Sequence, residues 1–487
     1  MVLPCGSSLT GLKGKPDSEK GEEVEPLRFG TSGIRGVVGE YLEEDGCRCA
    51  GRALGTLLGQ GAHVCIAHDT RRSGPAVAGW VIDGLVASGA DVVDFGIAPT
   101  PALAALTRAG GYSAGVMITA SHNPPQYNGI KLFDGEGVGF SRDLETRIEQ
   151  LLEGREFASG AGSVRRDGSA LERYIETIPP ALVRDAVSGG MALLLDPGNG
   201  AASGFARAVF ERLGFQVAVV NDTPDGLFPG RGSEPSAMAL HGTHAALRAS
   251  SAQLAACFDG DADRVVFCDR DGFVGLDETV AFVAQHAVRQ SSRRVFATTV
   301  ETGLLPQYAV EEVGGHAIRG RVGDVAVAHL VREHDAALGA ETVGVYIFPE
   351  QGLYPDSMVA VLRVLATLPD PSGIRRFVKA LPRVHLVKRK VQCPSPLKTR
   401  VMSRVDEMLM DALDVPADVT VNRTDGVRLE MQDAWVLVRP SGTEPVVRVT
   451  TESTEPARAD YLALGADAIV TRLVAETARA GGTGGVA

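Results

Sequence analysis

Three stretches of the chain repeat one grammar: a short apolar strand, a polar or Gly-containing turn, a helical segment, then Gly and a second strand. The first runs HVCIAHDT, AVAGWVIDGLVASG and ADVVDFG; the second MALLLDPGNG, FARAVFERLG and FQVAVVND; the third RRVFATTVETG, LLPQYAVEEVGG and HAIRGRVGD. A strand that returns parallel to its neighbour needs a crossover, so each stretch reads as a right-handed βαβ unit. Three units predict three related α/β domains, alike in pattern and not in letters. A length of 487 residues leaves room for two to four domains, at roughly 150 residues each. Hydrophobic residues at 44% against 22% charged can fill large cores and are too many for a disordered chain.

After about residue 383 the grammar changes. A helix through KTRVMSRVDEMLMDAL precedes GVRLEMQ, AWVLVRP and VVRVTTES, short runs between turn residues. This predicts a fourth domain of α+β type, an antiparallel sheet with helices on it. The polar N-terminal stretch and the closing AGGTGGVA are too polar or Gly-rich to pack, so loose tails are expected at 1–25 and 479–487. The domains between them are expected at 26–166, 167–270, 271–382 and 383–478.

Lys plus Arg number 48 and Asp plus Glu 60, a formal net charge of −12 that argues against a protein built to neutralise nucleic-acid phosphates. Local arginines can still bind small anions. The seven cysteines (5, 47, 49, 65, 257, 268 and 393) are odd in number and form no CxxC pair, which excludes a disulfide framework and a zinc knuckle. No run has the length of a signal-peptide core or a membrane span. A reducing, cytoplasmic setting without membrane or nucleic-acid partners is expected, for a monomer or a homodimer.

Four motifs can carry chemistry. TASHNPPQYNGIKLF (119–133) follows the apolar run AGVMI, so it leaves a strand end, where open α/β sheets place ligands. Ser121 there could be a nucleophile or phosphate carrier, with Lys131 or His122 moving protons; the plain alternative is a Pro-stiffened surface turn. FDGDADRVVF places Asp259, Asp261 and Asp263 at alternate positions before Arg264. Three carboxylates so close repel each other unless a hard divalent cation sits among them, and Mg²⁺ suits phosphoryl chemistry. An EF-hand is excluded, because Arg264 and Arg270 stand where it needs Gly and Glu. RPSGTEP (439–445) can cradle a phosphate with Arg439, the Ser441 and Thr443 hydroxyls and backbone N–H groups beside Gly442. GTSGIRG (30–36) surrounds Arg35 with glycines and hydroxyls.

Two decoys compete. Gly111, Ser113 and Gly115 spell a nucleophile elbow, but the helix lies before and the strand after, the inverse of what that elbow needs. MALLLDPGNGAASG resembles a dinucleotide fingerprint, with Gly198 and Gly200 after a strand and Asp222 beyond. Its third glycine, Gly204, is one residue late, and Ser203 holds the proper place. An ordinary strand-to-helix turn is preferred, with a nucleotide-binding dehydrogenase kept as an alternative.

In this order, RFGTSGIRG, TASHNPPQYNGIKLF, FDGDADRVVF and RPSGTEP resemble the α-D-phosphohexomutase superfamily over nearly the whole chain. The resemblance implies three similar α/β domains with mixed sheets and a C-terminal α+β domain related to the TATA-binding-protein fold, around a central cleft. It also implies a phosphomutase that moves a phosphoryl group between the 6- and 1-hydroxyls of a hexose phosphate, through an active-site phosphoserine and a bisphosphorylated sugar. By likeness, Ser121 would carry the phosphoryl group and complete a site for one Mg²⁺ with Asp259, Asp261 and Asp263. Arg35 and Lys131 would stand beside it with Lys131 as acid/base, and Arg264 would follow the metal loop. Arg439, Ser441, Gly442 and Thr443 would hold the phosphate not being transferred. A hexose bisphosphate would act as activator.

Many members carry GExSGH at the sugar. This chain keeps Glu341 and Gly344 but has Val343 and Val345 where Ser and His would stand. Glu341 can still accept hydrogen bonds from vicinal hydroxyls. The missing His, with IFP soon after, is similar to the archaeal phosphoglucosamine-mutase-like branch, so glucosamine phosphate is the expected substrate. Mannose or glucose phosphate is the alternative, and a non-catalytic sugar-phosphate-binding paralogue the remote one.

Overall fold

The computed structural model describes residues 26–30, 32–442 and 444–482. The expected tail at 1–25 lies outside them, as do 483–487 and Thr443. Residues 479–482 correct the other tail: they continue the last helix, Pro456–Gly482. Ala478, Arg479 and Ala480 are strong helix formers, and the helix continues through Gly481 and Gly482.

The first sheet holds β1 (Ile34–Val37), β2 (His63–His68), β3 (Asp91–Ile97), β4 (Ala114–Ile118), β5 (Tyr127–Asp134) and β6 (Val164–Arg166), in the order β1-β5-β4-β2-β3-β6. The second holds β7 (Leu193–Asp196), β8 (Val217–Val219), β9 (Leu254–Phe258), β10 (Val265–Asp269) and β11 (Gly272–Phe273), in the order β11-β10-β9-β7-β8. The third holds β12 (Val295–Thr299), β13 (His316–Gly320), β14 (Leu338–Glu341) and β15 (Val345–Ile347), in the order β13-β12-β14-β15. One unit recurs in all three. Its first strand lies parallel between its second and third, and a fourth strand turns back antiparallel to the third. The expected helices, Gly74–Ala87, Phe205–Arg212 and Leu304–Glu311, make the first crossover of each unit. The turn-back hairpins are therefore topologically equivalent. They carry Ser121 between β4 and β5, the three aspartates between β9 and β10, and Val343 between β14 and β15.

The fourth sheet is antiparallel throughout: β16 (His385–Gln392), β17 (Thr420–Asn422), β18 (Val427–Glu430), β19 (Ala434–Pro440) and β20 (Val446–Ser453), in the order β16-β20-β19-β18-β17. The helix expected over KTRVMSRVDEMLMDAL is two, Lys398–Met402 and Val405–Ala412. The Ser403 hydroxyl donates to the Arg400 carbonyl (2.9 Å), a local bond that competes with helix propagation, while Val401, Val405 and Leu409 stay buried across the break.

One apolar core runs through all three α/β units, joining Leu103, Leu195, Phe258, Phe296 and Met358. The fourth domain has its own core around Leu429, Val436 and Leu473. Val300 and Leu304 of the third unit meet Trp435 and Leu437 of the fourth domain in a small shared cluster. There the Arg428 guanidinium lies 3.9 Å from the Trp435 ring centroid, and the indole N–H donates to Glu452 (2.7 Å). Trp435→Ala should cost about 3–5 kcal/mol as the aromatic is lost and Glu452 and Arg428 lose their partner. In urea, far-UV circular dichroism should then show an early transition that Trp80 fluorescence, reporting the first unit, does not follow.

Candidate active site

Strand β4 is buried along its whole length and ends at the turn holding Ser121. Ser121 adopts a left-handed backbone (φ 51°), which is unfavourable for a residue with a side chain. What holds it there is Arg71, buried at the end of β2. Its guanidinium donates to the carbonyls of Ser121 (2.8 Å), Asn123 (2.7 Å), Pro124 (2.6 Å) and Tyr127 (2.8 Å). Asp69 receives its Nε at 2.9 Å and also the Thr119 hydroxyl at 2.6 Å, while Thr119 Oγ1 accepts from the Ser121 N–H at 2.8 Å.

The aspartate loop packs directly against this turn. A side chain at Gly260 would collide with the Ser121 carbonyl oxygen, so glycine is needed for the approach. The Ser121 hydroxyl then donates to Asp259 Oδ2 at 2.7 Å. Thr100, at the start of helix Thr100–Ala109, donates its N–H to the Asp261 carbonyl (2.9 Å) and its hydroxyl to Asp261 Oδ2 (2.6 Å). Ala262, also left-handed (φ 60°), has its carbonyl taken by the Ser357 hydroxyl at 2.6 Å. Lys131, on β5, reaches across to Asp261 Oδ2 (2.8 Å) and Asp263 Oδ2 (2.7 Å).

One ligand atom from each of Asp259, Asp261 and Asp263 lies within 4.8 Å of the others, all three side chains being buried. Burial, then the charges of Asp263 and Asp261, push Asp259 well above the usual carboxylate range. Burial acts the same way on Asp261, but the charge and hydrogen bond of Lys131 outweigh it and hold that carboxyl below the range. For Lys131, burial opposes the charge and the two aspartates restore it, raising it above an ordinary lysine. Asp261 Oδ1 and Asp263 Oδ1 remain buried without a hydrogen-bond partner. Orphaned hard oxygen donors beside an excess of negative charge fit a Mg²⁺-sized cation.

Beside Asp263 lies a cavity of about 590 Å³, lined also by Arg35, His122, Arg264, Glu301, Asp324, Glu341 and Val343. Arg35 donates weakly to Asn123 Oδ1 (3.4 Å), and Arg264 stands 3.7 Å from Asp263 and 3.9 Å from Glu234. Burial and the charges of Arg264 and Arg35 push His122 down to about 4, so its imidazole is neutral near pH 7. Its Nδ1 is 3.4 Å from Ser121 Oγ. Glu341 is buried and accepts the Gly323 N–H at 3.1 Å. The hairpin carrying Val343 docks on β10 through its main chain: the Val265 N–H donates to the Gly344 carbonyl (2.9 Å), and a Cβ on Gly344 (φ 92°) would lie 2.7 Å from the Val265 carbonyl oxygen.

The RPSGTEP loop meets this cavity only at its margin. Arg439 donates to Glu301 (2.8 Å) and pairs with Asp425 (2.9 Å). Ser441 Oγ accepts the Glu444 N–H (3.1 Å), Lys398 donates to the carbonyls of Ser441 and Glu444 (both 2.6 Å), and the space around Gly442 is open. Sequence reasoning missed Asp69, Arg71, Thr100 and Lys398. The signal for the first two was present in HDTRR, an acid and an arginine just after a strand with a buried apolar interior.

Neither decoy is a site. Ser113 precedes β4 and accepts the His63 N–H at 3.3 Å, at the wrong end of the strand for a nucleophile. The Arg231 guanidinium lies over Gly198 and the Gly260 backbone over Gly200, filling the space a pyrophosphate would need.

Models of the phosphoglucomutase/phosphomannomutase family match the chain in order: α/β/α domain I over 26–159, domain II over 172–272, domain III over 276–381 and the C-terminal domain over 397–468. A protein named "probable phosphoglucosamine mutase" from Methanopyrus kandleri is 40% identical over 454 residues, 92% of this chain and 98% of that protein. One of the same name from Pyrococcus abyssi is 36% identical, covering 91% and 97%. The crystal structure of a phosphoglucomutase/phosphomannomutase family protein from Burkholderia thailandensis matches with a TM-score of 0.78 at 29% identity, covering 91% of this chain and 96% of that one. The four domains in order, and relatives matched along almost their whole length, make this chain a member of the phosphoglucomutase/phosphomannomutase family.

Proposed function

We propose that this protein is a phosphohexomutase that interconverts glucosamine 6-phosphate and glucosamine 1-phosphate, with Ser121 as phosphoryl carrier. The observation that carries the reading is the Ser121 hydroxyl 2.7 Å from Asp259, beside two aspartate oxygens without a hydrogen-bond partner among the described residues and next to a sugar-sized cavity that His122 and Asp263 line. The names of the archaeal relatives support the choice of sugar.

In the forward half-reaction the free sugar hydroxyl attacks the phosphorus of phosphoserine 121, the P–Oγ bond breaks, and a bisphosphorylated sugar forms. The sugar turns over in the cavity, and the serine oxygen then takes its other phosphoryl group. A proton leaves the attacking oxygen and one returns to the departing oxygen in each half. Lys131, protonated at Nζ beside the aspartates, gives its proton to the departing oxygen and is restored by the one leaving the attacking hydroxyl, whereas neutral His122 is too weak a base to keep one near pH 7. Arg35 and Arg264 face the transferring oxygens, and Glu341 accepts from the ring hydroxyls. Arg439 and Ser441, with Gly442 and Thr443, anchor the other phosphate once Arg439 exchanges Glu301 for it. Asp259, Asp261 and Asp263 would hold Mg²⁺ with a phosphoserine oxygen, and when bound the cation supplies positive charge to the transferring group. A hexose bisphosphate re-primes enzyme that has lost its phosphoryl group. The six described cysteines are free and buried, which supports a cytoplasmic setting.

Ser121→Ala should reduce turnover by about 10³-fold or more while substrate still binds, and peptide mass spectrometry should find the phosphoryl group on the Ser121 peptide of active wild type. A phosphate found on Ser113 would overturn the assignment. Chelation should abolish activity and added Mg²⁺ restore it, with Asp261→Asn needing a higher Mg²⁺ concentration for half-activity.

Burial, then the neighbouring Asp324 charge, push Glu341 up to about 7. Below that pH it gains a proton and loses acceptor capacity, so KM should rise as pH falls through neutrality. In Glu341→Gln, KM should be high throughout and follow only the ionisation of the substrate phosphate; pH profiles of both enzymes measure the difference.

A further inference from the structure

The wall of the cavity contributed by the third domain holds two carboxylates with acceptor capacity left over. Glu341 is only 6% exposed, and its one hydrogen bond, from the Gly323 N–H, falls on Oε2; Oε1 receives none among the described residues. Asp324 opens the helix Asp324–Glu333 and accepts the Ser32 hydroxyl on Oδ1 at 3.1 Å, while Oδ2 receives no hydrogen bond among the described residues. Both residues line the cavity, and among the described residues neither has a Lys, Arg or His partner within the 4.0 Å of an ion pair. The Glu341 carboxyl is raised first by burial and next by the Asp324 charge, with the Arg264 charge acting in the opposite direction.

Two like charges at a buried wall are relieved by a cation between or beside them, and a hydroxyl supplies far less of that relief. Val343, the exposed side chain of the neighbouring hairpin, can neither donate nor accept a hydrogen bond. Thr342 beside it is uncharged and Glu301 already pairs with Arg439, so the charged reading of a substituent at this wall is left to Asp324. We propose that Asp324 is a specificity-determining residue that pairs with the protonated 2-amino group of an amino-sugar phosphate, beside the hydroxyls taken by Glu341. This rests on the phosphohexomutase reading above and adds to it which atom selects the sugar. N-acetylation would remove the charge and add bulk, so acetylated hexosamine phosphates are disfavoured by the same wall.

The test compares kcat/KM for glucosamine 1-phosphate, glucose 1-phosphate and N-acetylglucosamine 1-phosphate in wild type and in Asp324→Asn, with Mg²⁺ and a hexose bisphosphate activator present. The asparagine keeps the size and the oxygen that Ser32 needs and removes only the charge. Turnover of glucosamine 1-phosphate should fall about tenfold or more, chiefly through KM, while glucose 1-phosphate changes less than about threefold. Asp324→Ser, whose hydroxyl can also accept from Ser32, serves if the asparagine variant does not fold. Equal loss on both sugars would mark Asp324 as a packing residue and overturn the proposal, as would an unchanged preference. A wild type that turns over glucose and glucosamine phosphates equally well would overturn it while leaving the mutase reading intact. A wild type inactive on every hexose phosphate would remove both readings.

Discussion

The back-to-back contact of two loops, the Ser121 carbonyl against Gly260, is the constraint from which the rest of the site follows. It joins hairpins of different domains closely enough for Ser121 Oγ to meet Asp259 and for Lys131 to cross to Asp261 and Asp263. Such closeness is unfavourable on its own, because Ser121 and Ala262 are both left-handed, at a cost of order 1–2 kcal/mol each. The turn carbonyls would also be stranded away from water. Arg71 answers for four carbonyls of the serine loop, and Ser357 and Thr100 answer for those of the aspartate loop. The strain persists because these buried bonds over-determine it, and a serine held this way has one orientation toward whatever occupies the cavity.

Charge in the cavity is of both signs. Arg35 and Arg264 line it together with Glu301, Asp324 and Glu341, and the Arg264 charge reaches Glu341. The fourth domain adds one more cation at the margin, Arg439, already paired with Glu301 and Asp425. Any anion arriving at Arg439 must therefore compete with two carboxylates.

Much of this was legible in the letters. The three βαβ units were readable because apolar strands, glycine punctuation and helical runs recur with the period each element requires, and Asp259, Asp261 and Asp263 because like charges at alternate positions call for a cation. Ser121 was readable because its loop leaves an apolar strand. The equivalence of the three hairpins was not, since the fourth strand's reversal is a matter of pairing, which sequence pattern alone leaves open. Arg71 escaped because its partners are main-chain carbonyls of a loop some fifty residues away, and carbonyls carry no side-chain signature. The division of the 398–413 helix escaped because Ser403 breaks it with a local bond and not with glycine or proline.

The hairpin bearing Val343 is fastened to β10 by main-chain atoms, the Val265 N–H on the Gly344 carbonyl. Nothing in that fastening depends on which side chains stand at 342 and 343, provided glycine follows them. The piece that faces the sugar can thus be exchanged like a bit in a drill chuck, while the serine and aspartate hairpins, locked to each other through Gly260, cannot. A repeated unit used three times has in this way separated the part of the machine that must stay from the part free to diverge; Val343 sits in the free part, whereas Val345 opens β15 and packs in the third unit's core.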